Sequence, residues 1–431
     1  MYRMQRTFSP VAYAIDFGTS NSLLLGVSPE GVSEGVPLDP GAPDPSVLKS
    51  VLFFAPGAGW SFGTQAIAEY GVHGARGRLL RSIKKYLPDE SFRGTRIGDK
   101  LVLLEDLIGF FLKSARERAN RHFDADVRRV VLGRPARFSQ SDARDRLAEQ
   151  RLIEAARRAG FDHVEVHPEP LAAARDFVKT LDRPKLVLVA DLGAGTSDFT
   201  VLRLRPDGYD PADVLAVGGV SVAGDAFDSA IMRNKIAVHF GSKVRYRVLF
   251  GKNLLEMPRP LVELLCSPAD AALLERQEVM QFLRDIRHAA LDDEDRERID
   301  RLLCLAEDRL GYAVFRAIER SKCELSDRAA ARFEFQYPSV EISDELAQHE
   351  FRALAERPYD ALFEALDRTL EQASVIPRQI ESVCLTGGTA KLELVRRAFA
   401  ERFDPERIQA HAAFHSVVEG LAAHARTQLR A

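Results

Sequence analysis

The chain contains the stretch Asp191-Leu192-Gly193-Ala194-Gly195-Thr196-Ser197-Asp198, which follows the apolar run Leu186 to Ala190. A similar stretch, Asp16-Phe17-Gly18-Thr19-Ser20-Asn21, follows the run Val11 to Ile15. Each apolar run is typical of a buried strand, and each stretch turns through glycine and hydroxyl residues into a second apolar run. The repeated unit is therefore predicted to be a strand, a loop and a strand. Because the pattern occurs twice, it favours a functional hairpin over an ordinary strand turn.

Both loops have the composition of a phosphate-binding turn. Glycine allows positive φ and a close approach of the ligand, so that successive N–H groups can converge on an anion. Hydroxyl side chains add hydrogen-bond donors. The residues concerned are Gly18, Thr19 and Ser20 in the first loop and Gly193, Gly195 and Thr196 in the second.

An aspartate ends the first strand of each unit. Asp16 and Asp191 would repel bare phosphate, so the pattern makes chemical sense with a hard cation between carboxylate and phosphate. We therefore expect Mg²⁺ at these two residues, held mainly through water.

The composition is that of an ordinary globular protein. The 431 residues are 46% hydrophobic and 29% charged, and they are enough for two domains. The net charge is only −3, from 60 basic and 63 acidic residues, so no overall field favours a nucleic acid or a membrane surface as partner. We expect neither partner.

The cysteine pattern and the N-terminus both point to a cytoplasmic location. The cysteines are widely separated and have no metal-ligand spacing, so neither a zinc site nor a disulfide framework is expected. The apolar run after residue 10 is too short for a signal peptide, and no stretch approaches transmembrane length. The four cysteines are Cys266, Cys304, Cys323 and Cys384.

Hydrophobic periodicity predicts alternating helices and strands around the two hairpins. A segment rich in proline and glycine, 31–63, reads as short strands in an insertion, and 230–325 reads as largely helical. The other predicted helices are 101–119, 141–158, 171–177, 392–403 and 416–425, and the other predicted strands are 127–132, 164–166 and 382–386.

In this order, five blocks resemble the ATPase domain of the seventy-kilodalton heat-shock (DnaK-type) chaperone family. The blocks are Ile15 to Ser22, Ile83-Lys84-Lys85, Glu169-Pro170 before an alanine-rich helix, Asp191 to Asp198, and Glu319 to Ser326 followed by Gly387-Gly388. Within the family, three further stretches resemble the truncated YegD-type members, which end after the ATPase domain. They are Gly133-Arg134-Pro135, His167-Pro168-Glu169-Pro170 and Ser416 to Ala422.

The resemblance implies an α/β fold of the actin-like, ribonuclease-H-like ATPase group, duplicated into two lobes with the nucleotide in a central cleft. Lobe I would be 1–185, with an inserted subdomain at about 31–119, and the C-terminal helix 412–431 would return to it. Lobe II would be 186–411, with a helix-rich subdomain inserted at about 225–351.

The resemblance also assigns roles to individual residues. Asp16 and Asp191 would organise hydrated Mg²⁺, and the catalytic group would be Lys84, Glu169, Asp191 and Thr196. Lysine at the γ-phosphate would meet charge that develops during transfer. The residues implied to bind ATP or ADP are Gly18, Thr19, Ser20, Asn21, Gly193, Ala194, Gly195, Glu319, Lys322, Ser326, Gly387, Gly388 and Lys391.

Each assignment has an ordinary structural alternative. Lys84 fits a solvated helix face, Glu169 fits an acid at a helix N-terminus, and Glu319 with Lys322 fits a common i, i+3 helical pair. This chain also departs from the family pattern at several positions, and these departures predict weaker nucleotide affinity. They are Ala194 for a glycine, Ala226 for an acid, and Cys323 and Lys391 where an arginine often stacks on adenine.

The resulting functional hypothesis is an ATPase that hydrolyses ATP to ADP with Mg²⁺ as its lobes close, with chaperone-related action. The resemblance to truncated members implies that the peptide-gripping domain of a complete chaperone is missing, so client proteins or co-chaperones would need another surface. Two alternatives share the fold: an actin-like protein whose nucleotide controls assembly, and a metabolite kinase. Acceptor-free phosphate release, light scattering with ATP and acceptor-dependent turnover distinguish the three.

Overall fold

The structure is a computed structural model that describes residues 8–73, 77–97, 100–139, 141–178, 181–206, 208–247, 253–410 and 415–430. These residues form two compact units. Unit 1 comprises the described parts of Met1–Ala223, Ala361–Ala390 and Ala398–Ala431. Unit 2 comprises the described parts of Gly224–Asp360 and Lys391–Arg397. The proposed lobes 1–185 and 186–411 stay a prediction.

The strands follow in chain order. They are β1 (Ala12–Phe17), β2 (Asn21–Val27), β3 (Leu48–Lys49), β4 (Val51–Ala55), β5 (Gly59–Phe62), β6 (Arg78–Arg81), β7 (Gly94–Ile97), β8 (Lys100–Leu103), β9 (Arg129–Arg134), β10 (His163–Pro168), β11 (Lys185–Leu192), β12 (Ser197–Leu204), β13 (Val214–Val220), β14 (Arg245–Arg247), β15 (Leu254–Glu256), β16 (Ala330–Tyr337), β17 (Val340–Ala347), β18 (Ser382–Thr386) and β19 (Ile408–Ala410).

The α-helices are α1 (Thr64–His73), α2 (Leu104–Phe123), α3 (Asp142–Arg158), α4 (Glu169–Val178), α5 (Gly224–Ile231), α6 (Arg259–Leu265), α7 (Gln277–Ala289), α8 (Asp293–Glu307), α9 (Gly311–Glu324), α10 (Gln348–Leu354), α11 (Glu356–Gln372), α12 (Glu393–Arg402) and α13 (Ser416–Arg430).

Unit 1 contains two five-stranded sheets of identical topology. The first has the order β10-β9-β1-β2-β3, and the second has the order β19-β18-β11-β12-β13. In each sheet a hairpin and one further antiparallel strand are followed by two parallel strands. The prediction of a duplicated α/β fold built on two hairpins is therefore confirmed.

The parallel strands bring the carboxyl ends of several strands to one edge of each sheet. In the first sheet β1, β9 and β10 are parallel, so Asp16 near the end of β1 and Glu169 just after β10 lie at the same edge. In the second sheet Asp191 on β11 pairs with Thr386 on β18. Ligand sites in open α/β sheets lie beyond this edge.

Alternation along β1 divides the core of the first sheet into two faces. Tyr13, Ile15 and Phe17 belong to a cluster with α2 and α3, whereas Ala12 and Ala14 belong to a cluster that includes side chains of β11, β12, α4 and α13. This second cluster joins the two sheets through α4 and α13.

The C-terminal helix packs closely within unit 1. The described part of the predicted segment 412–431 is α13, which packs on α4, β1 and β2. A Cβ at Gly420 would lie 1.9 Å from the backbone oxygen of Ala172, so only glycine permits this approach of α13 to α4.

Unit 2 is mainly helical, as periodicity predicted for its central part. It includes α5 to α10, with the antiparallel pairs β14–β15 and β16–β17. The β16–β17 hairpin buries alternate residues, and α9 packs on β16. Helix α9 buries one apolar face, which includes Val314, Ala317 and Ile318.

Candidate functional site

The first loop, residues 18–21, is a tight turn between β1 and β2. A Cβ at Gly18 would lie 2.3 Å from the backbone oxygen of Asn21, so no larger residue fits there. Ser50, which sequence reasoning did not select, contacts this turn through its hydroxyl group and its backbone N–H.

The second loop is closed by its own backbone and supported from β18. The N–H of Gly193 donates to the oxygen of Thr196 at 3.0 Å, and the hydroxyl of Thr389 donates to the oxygen of Gly193 at 2.6 Å. Gly387 has φ of +86°, and a Cβ on it would lie 2.1 Å from the oxygen of Leu192. The turn after β18 therefore fixes the second loop.

The sequence suggested that the loop glycines are needed for positive φ, and this expectation is wrong. Gly18, Gly193 and Gly195 do not have positive φ, so Gly18 and Gly195 are required by close approach and not by backbone conformation. Ala194 also lies outside the positive-φ region. The alanine at the family's glycine position therefore introduces no backbone strain in this loop.

The two loops touch one another. A Cβ on Gly195 would lie 2.6 Å from Oγ1 and 2.9 Å from Cγ2 of Thr19, so the glycine leaves room for the threonine side chain. The hairpins of the two sheets thus bring Thr19 and the second loop together.

Four carboxylates gather around one ammonium group next to these loops. Burial raises the pKa of Asp16 well above its ordinary value, and the charges of Glu169 and Asp191 add to the effect. Burial, together with Glu169, raises the pKa of Asp191 to about 6, although the Thr386 hydroxyl donates to Oδ1 at 2.8 Å and partly opposes the shift. Repulsion between carboxylates is therefore built into the site.

Asp198 is a member of this group that sequence reasoning quoted but gave no role. It is 2% exposed, and its Oδ1 accepts the N–H of Ala136 at 2.9 Å. Burial raises its pKa well above the ordinary value, and Glu169 and Asp191 contribute. The signal in the sequence was its position opposite Asp191 in the hairpin.

Lys84 is the cation of the group. It lies on a 3-10 turn, Ile83–Tyr86, entered through Ser82 in the left-handed conformation with φ of 52°. Its Nζ lies 2.7 Å from Oε1 of Glu169, and Lys84 is 7% exposed. Burial alone would lower the pKa of Lys84, but the charges of Glu169 and Asp16 outweigh burial and raise it. The alternative of a solvated helix face is wrong.

Glu169 is placed by the end of β10. It is the first residue of α4, so the alternative of a helix N-terminal acid describes its position correctly, but its carboxylate is also the partner of Lys84. A Cβ on Gly133 would lie 2.9 Å from Cγ of Glu169. Gly133 on β9 therefore leaves the room that the glutamate side chain occupies.

The donor set fits a magnesium ion held largely by water. Among the described residues no three His, Cys, Asp or Glu side chains are arranged to hold a metal directly. Mg²⁺ is commonly bound by one or two carboxylates with several waters retained. Asp16 and Asp191 supply such oxygens, and a nearby cation would favour their charged forms against the burial and the carboxylate repulsion that raise their pKa values.

The residues expected at the nucleoside lie partly in unit 2. Nζ of Lys322 is 2.8 Å from Oδ1 of Asp228 and donates to the oxygen of Gly224 at 3.2 Å. Burial would lower the pKa of Lys322, but Asp228 outweighs burial and raises it. Glu319 is paired with Arg316 at 2.8 Å. The buried carboxylate of Asp228 therefore holds the Lys322 ammonium in place and keeps it charged.

Ser326 does not share a helical face with Glu319 and Lys322. Helix α9 ends at Glu324, so Ser326 lies on the turn that follows, where its backbone oxygen accepts from Arg396 at 2.8 Å. Lys391 is exposed on the short turn Thr389–Lys391. Gly387 and Gly388 follow β18 in unit 1, and their nucleoside contacts stay a prediction.

None of the cysteines forms a disulfide, and Cys266 and Cys384 are buried. In the part of the chain that the structure describes, no helix is both long and apolar enough to cross a membrane. The cytoplasmic location stays a prediction.

Comparison with known families supports the fold and the resemblance. A family model for MreB/Mbl protein matches residues 100–253, and one for Hsp70 protein matches residues 294–426. Both matches fit the duplicated actin-like α/β fold, which is confirmed.

Curated relatives match across most of the chain. A Chaperone protein DnaK from Thermotoga petrophila is 24% identical over 409 residues, covering 91% of this chain and 55% of the relative. A Chaperone protein HscA homolog from Azotobacter vinelandii is 25% identical, covering 91% and 54%. Another HscA homolog, from Verminephrobacter eiseniae, is 30% identical, covering 52% and 37%. The chain spans about half the length of most of these relatives.

Proposed function

We propose that the chain carries an Hsp70-type nucleotide-binding domain, which binds ATP with Mg²⁺ and hydrolyses it to ADP; the Hsp70 match over residues 294–426 and the DnaK relatives support this. The observation that carries this proposal is the meeting of two phosphate-type loops at Thr19 and Gly195, next to the buried pair of Lys84 and Glu169. Such a site offers backbone donors, a fixed cation and cation-binding carboxylates within one unit.

The loops would hold the phosphates. Backbone N–H groups of residues 18–21 and 194–196 would bind phosphate oxygens, and the hydroxyls of Thr19, Ser20 and Thr196 would add donors. The Gly18 and Gly195 positions allow the backbone turns to stay tight and in contact. Asp16 and Asp191 hold Mg²⁺, which supplies charge neutralisation at the phosphates.

Lys84 would stabilise charge that develops at the γ-phosphate. Its ammonium is kept protonated by Glu169 and Asp16, so it is a permanent positive charge at neutral pH. A preorganised charge in a site that excludes water stabilises a transition state more strongly than the same charge in solvent. Glu169 and Thr196 complete the proposed catalytic group by positioning the attacking water.

The nucleoside would be bound by a second set of residues. In unit 2 we assign ribose and base contacts to Glu319, Lys322, Ser326 and Lys391. In unit 1 we assign nucleotide contacts to Gly387 and Gly388, which follow β18. Lys322 has an ammonium group held by Asp228 and suited to ribose oxygens. Ser326 contributes from a turn and not from the helix face.

The biological role we propose is chaperone-related, since the DnaK and HscA relatives are named as chaperone proteins. Client or co-chaperone binding would use surfaces other than the phosphate site. A second candidate is nucleotide-dependent assembly, because actin-like assembly proteins share the duplicated fold that the family matches support.

One experiment separates these functions. Purified protein with Mg²⁺ and ATP is followed for phosphate release and for light scattering, with no acceptor added. Phosphate release without scattering supports the ATPase, and ATP-dependent scattering supports assembly. Turnover that needs an added small-molecule hydroxyl acceptor would contradict both in favour of a kinase.

A further inference from the structure

Ser50 lies between β3 and β4 and makes three hydrogen bonds around the first loop. It is 1% exposed. Its hydroxyl donates to the oxygen of Gly18 at 2.7 Å, and its N–H donates to the oxygen of Ser20 at 2.9 Å. Its Oγ also lies 2.9 Å from Oγ of Ser22. One buried residue therefore holds two carbonyl groups of a four-residue turn.

Holding these carbonyls fixes the direction of the loop's N–H groups. In a planar trans peptide the C=O of one residue and the N–H of the next point in opposite directions. With the Gly18 and Ser20 oxygens directed at Ser50, the N–H groups of Thr19 and Asn21 point away from Ser50. They therefore face the other side of the turn, where an anion bound by the loop would lie.

The hydroxyl groups of Ser22 and Ser50 form a hydrogen-bonded chain in which the direction of each donation is fixed. A serine hydroxyl has one proton, and that of Ser50 is used at the Gly18 oxygen. Ser22 must then donate to Ser50, and Ser22 is itself buried, at 1% exposed. Hydrogen bonds in such chains polarise one another, so the Ser50 contact to Gly18 is strengthened by Ser22.

We propose that Ser50 is a positioning residue that orients the first loop for the phosphates of the nucleotide. The inference rests on the proposed function, because it concerns the same phosphate site. Ser50 itself contacts no ligand. It acts by preventing the Gly18 and Ser20 peptides from rotating, which would replace N–H donors by carbonyl oxygens facing an anion.

The test is calorimetric titration of wild type and Ser50→Ala with three probes: Mg²⁺-ATP, Mg²⁺-tripolyphosphate and adenosine. Loss of the orienting hydrogen bond should weaken tripolyphosphate and ATP binding by roughly tenfold or more. Adenosine affinity should be unchanged, because adenosine has no phosphate. A purely structural role would reduce all three equally.

Ser61→Ala is the matched control, and Ser22→Ala is a variant with an intermediate expected effect. Ser61 is 3% exposed and its hydroxyl donates to the Phe53 oxygen at 3.4 Å, away from the first loop. Ser61→Ala should therefore leave all three affinities unchanged. Ser22→Ala removes a donor to Ser50 but leaves the Gly18 contact in place, so its loss of phosphate affinity should be smaller than that of Ser50→Ala.

If Ser50→Ala does not fold, Ser50→Cys takes its place, because a thiol is of similar size and is a weaker donor. A selective loss of tripolyphosphate affinity in either variant supports the inference. Wild-type tripolyphosphate affinity in the variant, or an equal loss of adenosine affinity, overturns it while the proposed function stands. If wild type binds neither ATP nor tripolyphosphate, the proposed function fails and the inference fails with it.

Discussion

Nζ of Lys84 lies 2.7 Å from Oε1 of Glu169, and the two side chains are 7% and 9% exposed. They come from separate elements, a 3-10 turn after β6 and the first position of α4. Because a charge left without its partner stays desolvated, a buried pair of this kind is costly to break. The contact thus fixes the lysine charge close to Asp16, whose charge helps to raise the pKa of Lys84.

Glu169→Gln should lower both stability and hydrolysis. The neutral amide cannot balance the buried Lys84 ammonium, so we expect a loss of about 2 kcal/mol in the free energy of unfolding. Urea denaturation of Lys84→Ala, Glu169→Gln and the double variant measures the coupling. The double variant should lose less than the sum of the single losses. Strictly additive losses would contradict an energetic pairing.

Glu165→Gln is the matched control for this cycle. Glu165 is exposed on the same strand that leads to Glu169, and its partner is His424 at 2.6 Å. The substitution removes one carboxylate of the same type without touching Lys84. Its stability loss should be within about 1 kcal/mol, as for other exposed pairs, and additive with Lys84→Ala.

Gly195→Ala should separate the two loops. The added methyl would lie 2.6 Å from Oγ1 of Thr19, so either the threonine side chain or the loop must move. We expect ATP affinity to fall by roughly tenfold or more, a loss typical of one misplaced hydrogen-bonding group. Fluorescence or calorimetric titration measures it.

Gly71→Ala serves as the control, because a Cβ on Gly71 meets nothing within 4 Å. That variant should bind ATP as wild type does. Wild-type affinity in Gly195→Ala would show that contact between the loops is not needed for binding.

Asp191→Asn should remove the dependence of nucleotide binding on Mg²⁺. The amide keeps the shape of the side chain but loses the charge that attracts the cation. ATP titrations with Mg²⁺ and with a chelator should give similar affinities in the variant and different affinities in wild type. Asp182→Asn, at an exposed aspartate paired with Lys185, should behave as wild type. A magnesium effect of wild-type size in Asp191→Asn would reject the metal assignment.

His167 should make the protein less stable in acid. Burial, with the neighbouring His424 and Arg175, lowers the pKa of His167 to about 3 from an ordinary value of 6.5. Below about pH 6.5 the unfolded chain therefore binds a proton at His167 that the native state does not bind. The free energy of unfolding is highest above pH 6.5 and decreases as pH falls below it. The expected slope is about 1 kcal/mol per pH unit.

The groups around His167 come from three elements. The His424 ring of α13 is stacked on it with centroids 4.0 Å apart, Glu165 of β10 accepts from His424, and Arg175 belongs to α4. His167→Phe keeps the stacking but cannot titrate, so urea denaturation between pH 7.5 and 5 should show a shallower loss of stability. His122→Gln, at an exposed histidine, should keep the wild-type slope. Equal slopes for His167→Phe and wild type would contradict the prediction.

The parts of the site that local sequence encodes were predictable. The repeated Asp-x-Gly pattern located both hairpins, and the strand predicted at 382–386 is β18 as observed. These features depend on apolar runs and on glycine within a few residues of each other. The same local reasoning was wrong about positive φ, which occurs at Gly387 and not in the two loops.

The supporting residues were not predictable because they are distant in sequence. Ser50 reaches the first loop from a strand end that reads as part of an insertion, and Ala136 donates to Asp198 across 62 positions. Lys84 is buried by contacts with residues far along the chain, whereas the pattern around it is that of an exposed helix. Tertiary contacts of this kind leave no periodic signal.

Single-turnover hydrolysis of Mg²⁺-ATP without acceptor, in wild type, Lys84→Ala and Lys85→Ala, tests most directly whether Lys84 is catalytic. Lys85 is the exposed neighbour and controls for general effects of removing a lysine. We expect Lys84→Ala to bind ATP within a few fold of wild type and to hydrolyse it roughly 10²-fold more slowly, as for loss of one preorganised charge. Lys85→Ala should match wild type. Equal hydrolysis rates in wild type and Lys84→Ala would contradict a catalytic role for Lys84.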